Sequence, residues 1–256
     1  MHDFLSHKGT IIIQFSCRTE KDQEKIERKD IPTMTNKLFY ILTVLCCAIS
    51  LSCSAAGGRC GKGVKWKWNP ETGVLTITGK GQMKDYAYFN LRKRPWHKNR
   101  DEIKCFVVEQ GVTHIGKNAF SECDKLASVI VDPSNPIYCD IDGVLFSKDK
   151  ATLLAYPKGN RNTRYVVPAT ATTIADHAFF SCDWLQEVIF PDGLADIDSW
   201  AFLGCDNLTK IVLPVSIKYI GYGVFYLCDK LKEIQYPQGL DVSHIDAPAS
   251  TQLIPY

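Results

Sequence analysis

From about residue 103 onward, the hydrophobic and polar positions spell one phrase four times. It is an Ala-Phe pair, a Cys-Asp pair three residues on, and a Leu leading into a β-branched run. The copies are Ala119-Phe120 with Cys123-Asp124 and Leu126, Ala178-Phe179 with Cys182-Asp183 and Leu185, Ala201-Phe202 with Cys205-Asp206 and Leu208, and Val224-Phe225 with Cys228-Asp229 and Leu231. The last three cysteines stand 23 residues apart without slippage. A fixed period of this size marks a solenoid, in which each unit buries its apolar face only against its neighbours. The expected fold is a right-handed coil of β/α type, each 23-residue repeat giving one strand to a parallel sheet, with an N-terminal β-hairpin cap. Ile115, Ile174, Ile197 and Ile220 should stack as one apolar column. Phe120, Phe179, Phe202 and Phe225 should form a second, and Leu126, Leu185, Leu208 and Leu231 a third.

Alternation within each strand assigns the faces. Phe106 and Val108 point inward, as do Val129 and Val131, so the residue between each pair points out. Repeated along the coil, this places Val107, Ile130, Val166, Ile189, Val212 and Gln235 on the exposed sheet face. The residues beside them are mostly small or polar: Ser128, Glu187, Lys210 and Glu233. A contiguous exposed apolar stripe is an interaction-site candidate, although β-branched residues also favour strands for their own sake.

The units flanking this frame are irregular. Residues 57–63 are Gly-rich and expected to be flexible. Val64–Trp68 and Val74–Thr78 alternate around the turn Asn69-Pro70-Glu71-Thr72-Gly73, a hairpin that Gly79-Lys80-Gly81 should end. The stretch 82–102 is anchored by Pro95-Trp96, and residues 57–102 make up the cap. Repeats run over 103–240. Between 132 and 168 one unit is stretched to 36 residues, its excess reading as a second hairpin that bulges from a rung. Beyond Pro237 the register fades, leaving 241–256 as a thin cap or disordered tail.

Composition adds little. The net charge is +2, and residues 1–33 hold six basic and six acidic groups, so the body is close to neutral. No nucleic-acid partner and no steering field are expected of it. Of eleven cysteines, the four in the repeat slot have Phe and Leu neighbours and read as buried thiols. Cys60, Cys105 and Cys139 lie off the ladder and remain candidates for a disulfide. The Asp after each repeat Cys is expected to bond backbone N–H groups in a turn; one carboxylate per rung is thin ligation for calcium.

The N-terminus reads as an address. Met34-Thr-Asn-Lys37 precedes the apolar run Leu38–Leu51, too short for the roughly 20 residues of a membrane span. Residues 34–56 are read as a signal peptide and 1–33 as an upstream extension without structural role. Ser50-Leu51-Ser52-Cys53 resembles a loose lipobox that would lipidate Cys53, whereas Ser54-Ala55-Ala56 suits ordinary cleavage. Export is expected either way, and membrane attachment only through that anchor.

Catalytic motifs are sparse. Asp140-Ile-Asp142-Gly143-Val-Leu145 matches the D-x-D-G-x-L opening of haloacid-dehalogenase-type phosphatases, where the first Asp is the nucleophile. That motif should end a buried strand, and Pro133–Cys139 is not one. No H-E-x-x-H, G-x-S-x-G or Cys-x-x-Cys is present, so no metal or cofactor is predicted.

The repeat I-G-x-x-A-F-x-x-C-x-x-L-x-x-[VI]-x-[VFLY]-P, clearest at Ile197–Pro214 and Ile220–Pro237, resembles the BspA-like leucine-rich repeats of bacterial, Bacteroides-type, surface and secreted proteins. The segment from Trp66 to Trp96 is similar to a module that precedes those repeats. The resemblance implies a non-enzymatic exported protein that binds a protein or other macromolecule, in adhesion or host or matrix contact. The alternatives are a structural envelope module without its own ligand and, remotely, a phosphatase using Asp140 and Asp142.

Overall fold

The computed structural model describes residues 56–243 and 245–256. Of residues 34–56, read as a signal peptide, only Ala56 is described; Cys53 and residues 1–33 lie outside the described residues. The strands in chain order are β1 (Gly57–Arg59), β2 (Gly61–Asn69), β3 (Val74–Met83), β4 (Cys105–Val108), β5 (Val112–His114), β6 (Ser128–Val131), β7 (Tyr138–Ile141), β8 (Val144–Ser147), β9 (Thr152–Ala155), β10 (Arg164–Val166), β11 (Thr173–Ile174), β12 (Glu187–Ile189), β13 (Asp196–Ile197), β14 (Lys210–Val212), β15 (Tyr219–Ile220), β16 (Glu233–Tyr236) and β17 (Gln252–Pro255). Two 3₁₀ segments, Tyr88–Lys93 and His97–Glu102, lie in the cap. No helix among the described residues is long and apolar enough to cross a membrane.

The 23-residue period is visible as strand register. Arg164 pairs with Glu187, Glu187 with Lys210, and Lys210 with Glu233, all parallel. Short bridges at Ile174, Ile197 and Ile220 make a second parallel ladder with the same offset. The return paths between these ladders are turns, each closed by the Cys and Leu N–H groups donating to carbonyls three residues back, as Cys205 to Phe202 and Leu208 to Cys205. Each turn needs two left-handed residues. One precedes the Ala (Asn118, His177, Trp200, Gly223) and one precedes the Cys (Glu122, Ser181, Gly204, Leu227), with φ between 51° and 70°.

The aromatic column forms, with one change of membership. Phe179 and Phe202 stack at 4.6 Å and 9°, and Phe202 and Phe225 at 5.7 Å and 25°. The residue stacked below Phe179 is Tyr156, at 5.1 Å and 24°, not Phe120. Phe120 is half-buried and packs edge-on against Phe106 at 4.8 Å, in a different core. Ile115 likewise belongs to that core. The stretched repeat is the reason, because it starts a new stack.

That stretched repeat is not a hairpin bulging from one rung. β7, β8 and β9 form an antiparallel meander, and β9 then pairs in parallel with β11, Leu153 opposite Ile174. The meander is thus built into the second ladder. Val144 and Phe146 of β8 enter the core of the later repeats, while Leu145 enters the core of the cap and first repeat. All three are at most 2% exposed. The unbroken Val-Leu-Phe run is the signature of a strand buried on both faces.

The cap is larger than the hairpin the sequence suggests. β2 begins at Gly61, β1 is added at its edge, and β3 runs through Gly79 and Gly81 to Met83. These glycines do not end the strand; they let two backbones touch. A Cβ on Gly79 would lie 2.3 Å from the Gly63 carbonyl oxygen, and one on Gly81 2.2 Å from that of Lys62. β3 also pairs in parallel with β4, Leu75 opposite Phe106, so the cap is itself the first rung. Arg94 and Trp96 close its open side. The Trp96 indole is fully buried and its Nε1 donates to the Ala119 carbonyl at 3.2 Å. The buried Arg94 guanidinium donates to the carbonyls of Leu91, Asn118, Ala119 and Ser121 and to Glu122. At the other end β17 joins β16 in parallel, Gln235 opposite Ile254, so residues 252–255 serve as a last strand.

Candidate functional site

The candidate residues sit where alternation places them, but in two runs. In the first sheet Val107 pairs with Ile130, and Thr76 of β3 precedes them in the same row. In the second sheet Val166 pairs with Ile189, Val212 with Gln235, and Gln235 with Ile254. Val166 is 54% and Val212 42% exposed. The others are half-buried.

No ladder joins Ile130 to Val166. The free edge of β6 is taken up by the meander: Val129 donates its N–H to the Gly143 carbonyl at 2.8 Å and Val131 to Asp140 Oδ1 at 2.9 Å. The expected single stripe is therefore corrected to two patches, because the 36-residue repeat breaks the sheet between them. The second patch carries the larger exposed area.

A feature missed at the level of sequence lies beside that second patch. Arg164, Glu187, Lys210 and Glu233 are in register, two residues before Val166, Ile189, Val212 and Gln235, so they share the outward face. Their signs alternate rung by rung. Arg164 Nε reaches Glu187 Oε2 at 2.8 Å, Lys210 Nζ reaches Glu233 Oε1 at 2.9 Å, and Gln235 adds a bond to Glu233 at 2.6 Å. The Lys210 hydrogen bond leads the causes that hold the Glu233 carboxyl below its usual range. The alternation was legible once residues 23 apart were aligned by charge rather than hydropathy. Prolines 168, 191, 214 and 237 follow two residues after the apolar row and end each strand, since they cannot donate to the ladder.

The other candidates resolve into structure. Asp140 accepts the Val131 N–H, and Asp142-Gly143, with φ of 51° and 81°, form the two-residue turn of the β7–β8 hairpin. Asp-Gly is the pair such a turn favours. The phosphatase-like string thus spells a hairpin turn and a sheet-edge cap. No disulfide joins any two of the seven described cysteines. Three of the ladder thiols donate to a carbonyl one rung back: Cys205 to Phe179 at 3.0 Å, Cys228 to Phe202 at 3.1 Å, and Cys182 to Tyr156 at 3.8 Å.

The aspartates after those cysteines do not make the turn bonds expected of them. They are exposed; Asp124 pairs with Lys158 at 2.9 Å. Desolvation first, opposed by Lys158 and reinforced by Asp206 and Asp124, pushes the Asp183 acid up. Among the described residues no group of three His, Cys, Asp or Glu side chains is placed to hold a metal ion.

Parallel rungs in constant register, a stacked aromatic column and a dedicated first-rung cap define a leucine-rich repeat solenoid. A family model described as BspA type leucine rich repeat region matches six copies over residues 96–162 and 155–253. The chain belongs to that family. Among solved structures it is similar to a leucine-rich repeat protein from Eubacterium ventriosum, at 17% identity over 80% of this chain and 85% of that one, with a TM-score of 0.45. It is also similar to a leucine rich cell surface protein from Faecalibacterium prausnitzii, at 24% identity over 61% of this chain and 52% of that one, with a TM-score of 0.46. The pneumococcal vaccine antigen PcpA shows 26% identity over 52% of this chain and 38% of that one, with a TM-score of 0.46. The chain thus spans about half of the second structure and under two fifths of the third. No curated protein matched the sequence.

Proposed function

We propose that this chain is an exported, non-enzymatic binding protein that engages a protein or other macromolecule through the outward face of its second sheet. The observation that carries the reading is the row Val166, Ile189, Val212 beside a charge ladder that satisfies itself. Two of these three side chains are more than two-fifths exposed, and apolar area left open next to internally paired charges favours contact rather than solvation. Because Arg164, Glu187, Lys210 and Glu233 neutralise one another, that contact should be insensitive to salt. Export is supported by the apolar run Leu38–Leu51 and the small residues that follow it, and attachment by Cys53.

Val166→Glu, Ile189→Glu and Val212→Glu together place three charges on the row without touching the core. In capture from an envelope or host-matrix extract, the variant should lose every partner the wild type retains, with an unchanged circular dichroism spectrum. Equal capture by the two proteins would overturn the proposed face. A wild type that captures nothing from either extract would favour a structural module without its own ligand.

A further inference from the structure

The near-neutral sum of charges hides a segregation along the coil. Residues 56–118 carry thirteen basic and five acidic groups, whereas residues 119–256 carry ten and seventeen. The excess is densest in the cap hairpin. Residues 56–84 hold six basic groups against one acidic, Glu71. Within β2, Val64, Trp66 and Trp68 are buried, so Lys65 and Lys67 stand on the opposite, outward face.

β1 extends that face. Arg59 is directly opposite Lys65, and Gly57 opposite Lys67. On the far side Lys65 faces Thr78 and Lys67 faces Thr76. The result is a flat patch of three cations and two hydroxyl-bearing residues. Like charges directly opposite on adjacent strands repel. None of Arg59, Lys65 and Lys67 makes an ion pair among the described residues. This contrasts with the second sheet, where the same kind of position is neutralised by an alternating partner.

The chain itself says what lies against this patch. The Ala56 carbonyl accepts the Trp68 N–H at 2.8 Å, so the backbone enters the fold beside Lys67. Cys53 is four residues before Gly57, a reach of at most about 14 Å when fully extended. A lipid on Cys53 would therefore hold the cationic face within that distance of a bilayer surface. A lipobox cysteine carries a diacylglyceryl group, whose two chains already give stable attachment, and a basic patch beside it adds a contact with anionic headgroups that orients the first rung.

We infer that the outward face of the cap hairpin, Arg59, Lys65 and Lys67, docks on anionic phospholipid headgroups and is the second membrane contact of this protein. The inference rests on the exported, Cys53-anchored reading. Thr76, opposite Lys67, stands in one row with Val107 and Ile130, so the docking face is continuous with the first patch, while Val166, Ile189 and Val212 lie on the other sheet.

The test uses the mature protein as isolated, with its N-terminus identified by mass spectrometry, so that the state of Cys53 is known independently. Partition is measured on phosphatidylcholine vesicles with and without phosphatidylglycerol, and the anionic-to-neutral ratio is the readout. A lipid anchor contributes to both vesicle types and cancels in that ratio. Each basic residue at such a surface contributes roughly fivefold, so Arg59→Glu, Lys65→Glu and Lys67→Glu together should lower the ratio by about a hundredfold or more. Lys65→Gln with Lys67→Gln, a milder change, should lower both the ratio and its salt dependence. A ratio near one for the wild type, or a ratio unchanged in both variants, would overturn the proposal. So would capture of this face by heparin or single-stranded DNA in the absence of any preference for anionic vesicles. An unmodified Cys53 alongside a high ratio would refute the anchor while leaving the face standing.

Discussion

At the scale of the residue, the rung is held by groups that stack on their own equivalents. Phe202 lies between Phe179 and Phe225, touches Phe190 edge-on at 5.9 Å, and is fully buried. Phe202→Ala should cost roughly 3–5 kcal/mol in chemical denaturation. The loss should be transmitted to both neighbouring rungs, because each has no other face to bury. The ladder cysteines are equally specific. Desolvation is the largest cause pushing their thiols up, to about 12 for Cys123 and Cys228, with Cys205 well above its usual value. Native protein should leave Cys123, Cys182, Cys205 and Cys228 unalkylated by iodoacetamide at mildly alkaline pH, and denaturant should expose them. The folded state keeps protons that the unfolded thiols release near pH 8.5. Stability is thus fully present below that value and falls as pH rises from it toward the folded values. The Phe and Cys slots were legible because they recur in register. Tyr156 was not, since it fills the Phe slot of a unit lacking the Cys that follows in the others.

Elements rather than residues decide where the coil begins and divides. Arg94 ties the 3₁₀ segments of the cap to the loop 118–122, with its guanidinium wholly buried among carbonyls and paired with Glu122 at 3.0 Å. Removing it orphans several acceptors in one step. Arg94→Met should lower stability by about 3 kcal/mol or more, read as an earlier thermal transition. A shift within error would show that the clamp is replaceable. Nothing in the hydropathy pattern marks Arg94, because a buried guanidinium is recognised by the carbonyls around it, and those come from a loop 24 to 27 residues away. The cap strands were legible as a hairpin, but their extent was not. Gly79 and Gly81 read locally as a break and are required by the close approach of β2. The meander was misplaced for a related reason: β9 finds its partner β11 across a turn of the coil, and period alone does not report pairing.

On the scale of the whole molecule, the chain has three unlike regions: a cationic first rung, a partition at β8 between two cores, and an apolar row with its own counter-charges. The 23-residue period was sufficient to expect the parallel coil. It was also sufficient to point the row outward. It did not reveal that the row is split at Ile130, because that depends on Asp140 and Gly143 sealing the edge of β6. The proposal that the second patch is the binding face is tested most directly by titrating one purified partner against three proteins. These are the wild type, the Val166→Glu, Ile189→Glu, Val212→Glu variant, and a Val107→Glu, Ile130→Glu variant of the first patch. The expected result is a loss of at least about tenfold for the second-patch variant, near-wild-type affinity for the first-patch variant, and little change with added salt. Equal affinity for the wild type and the second-patch variant would contradict it.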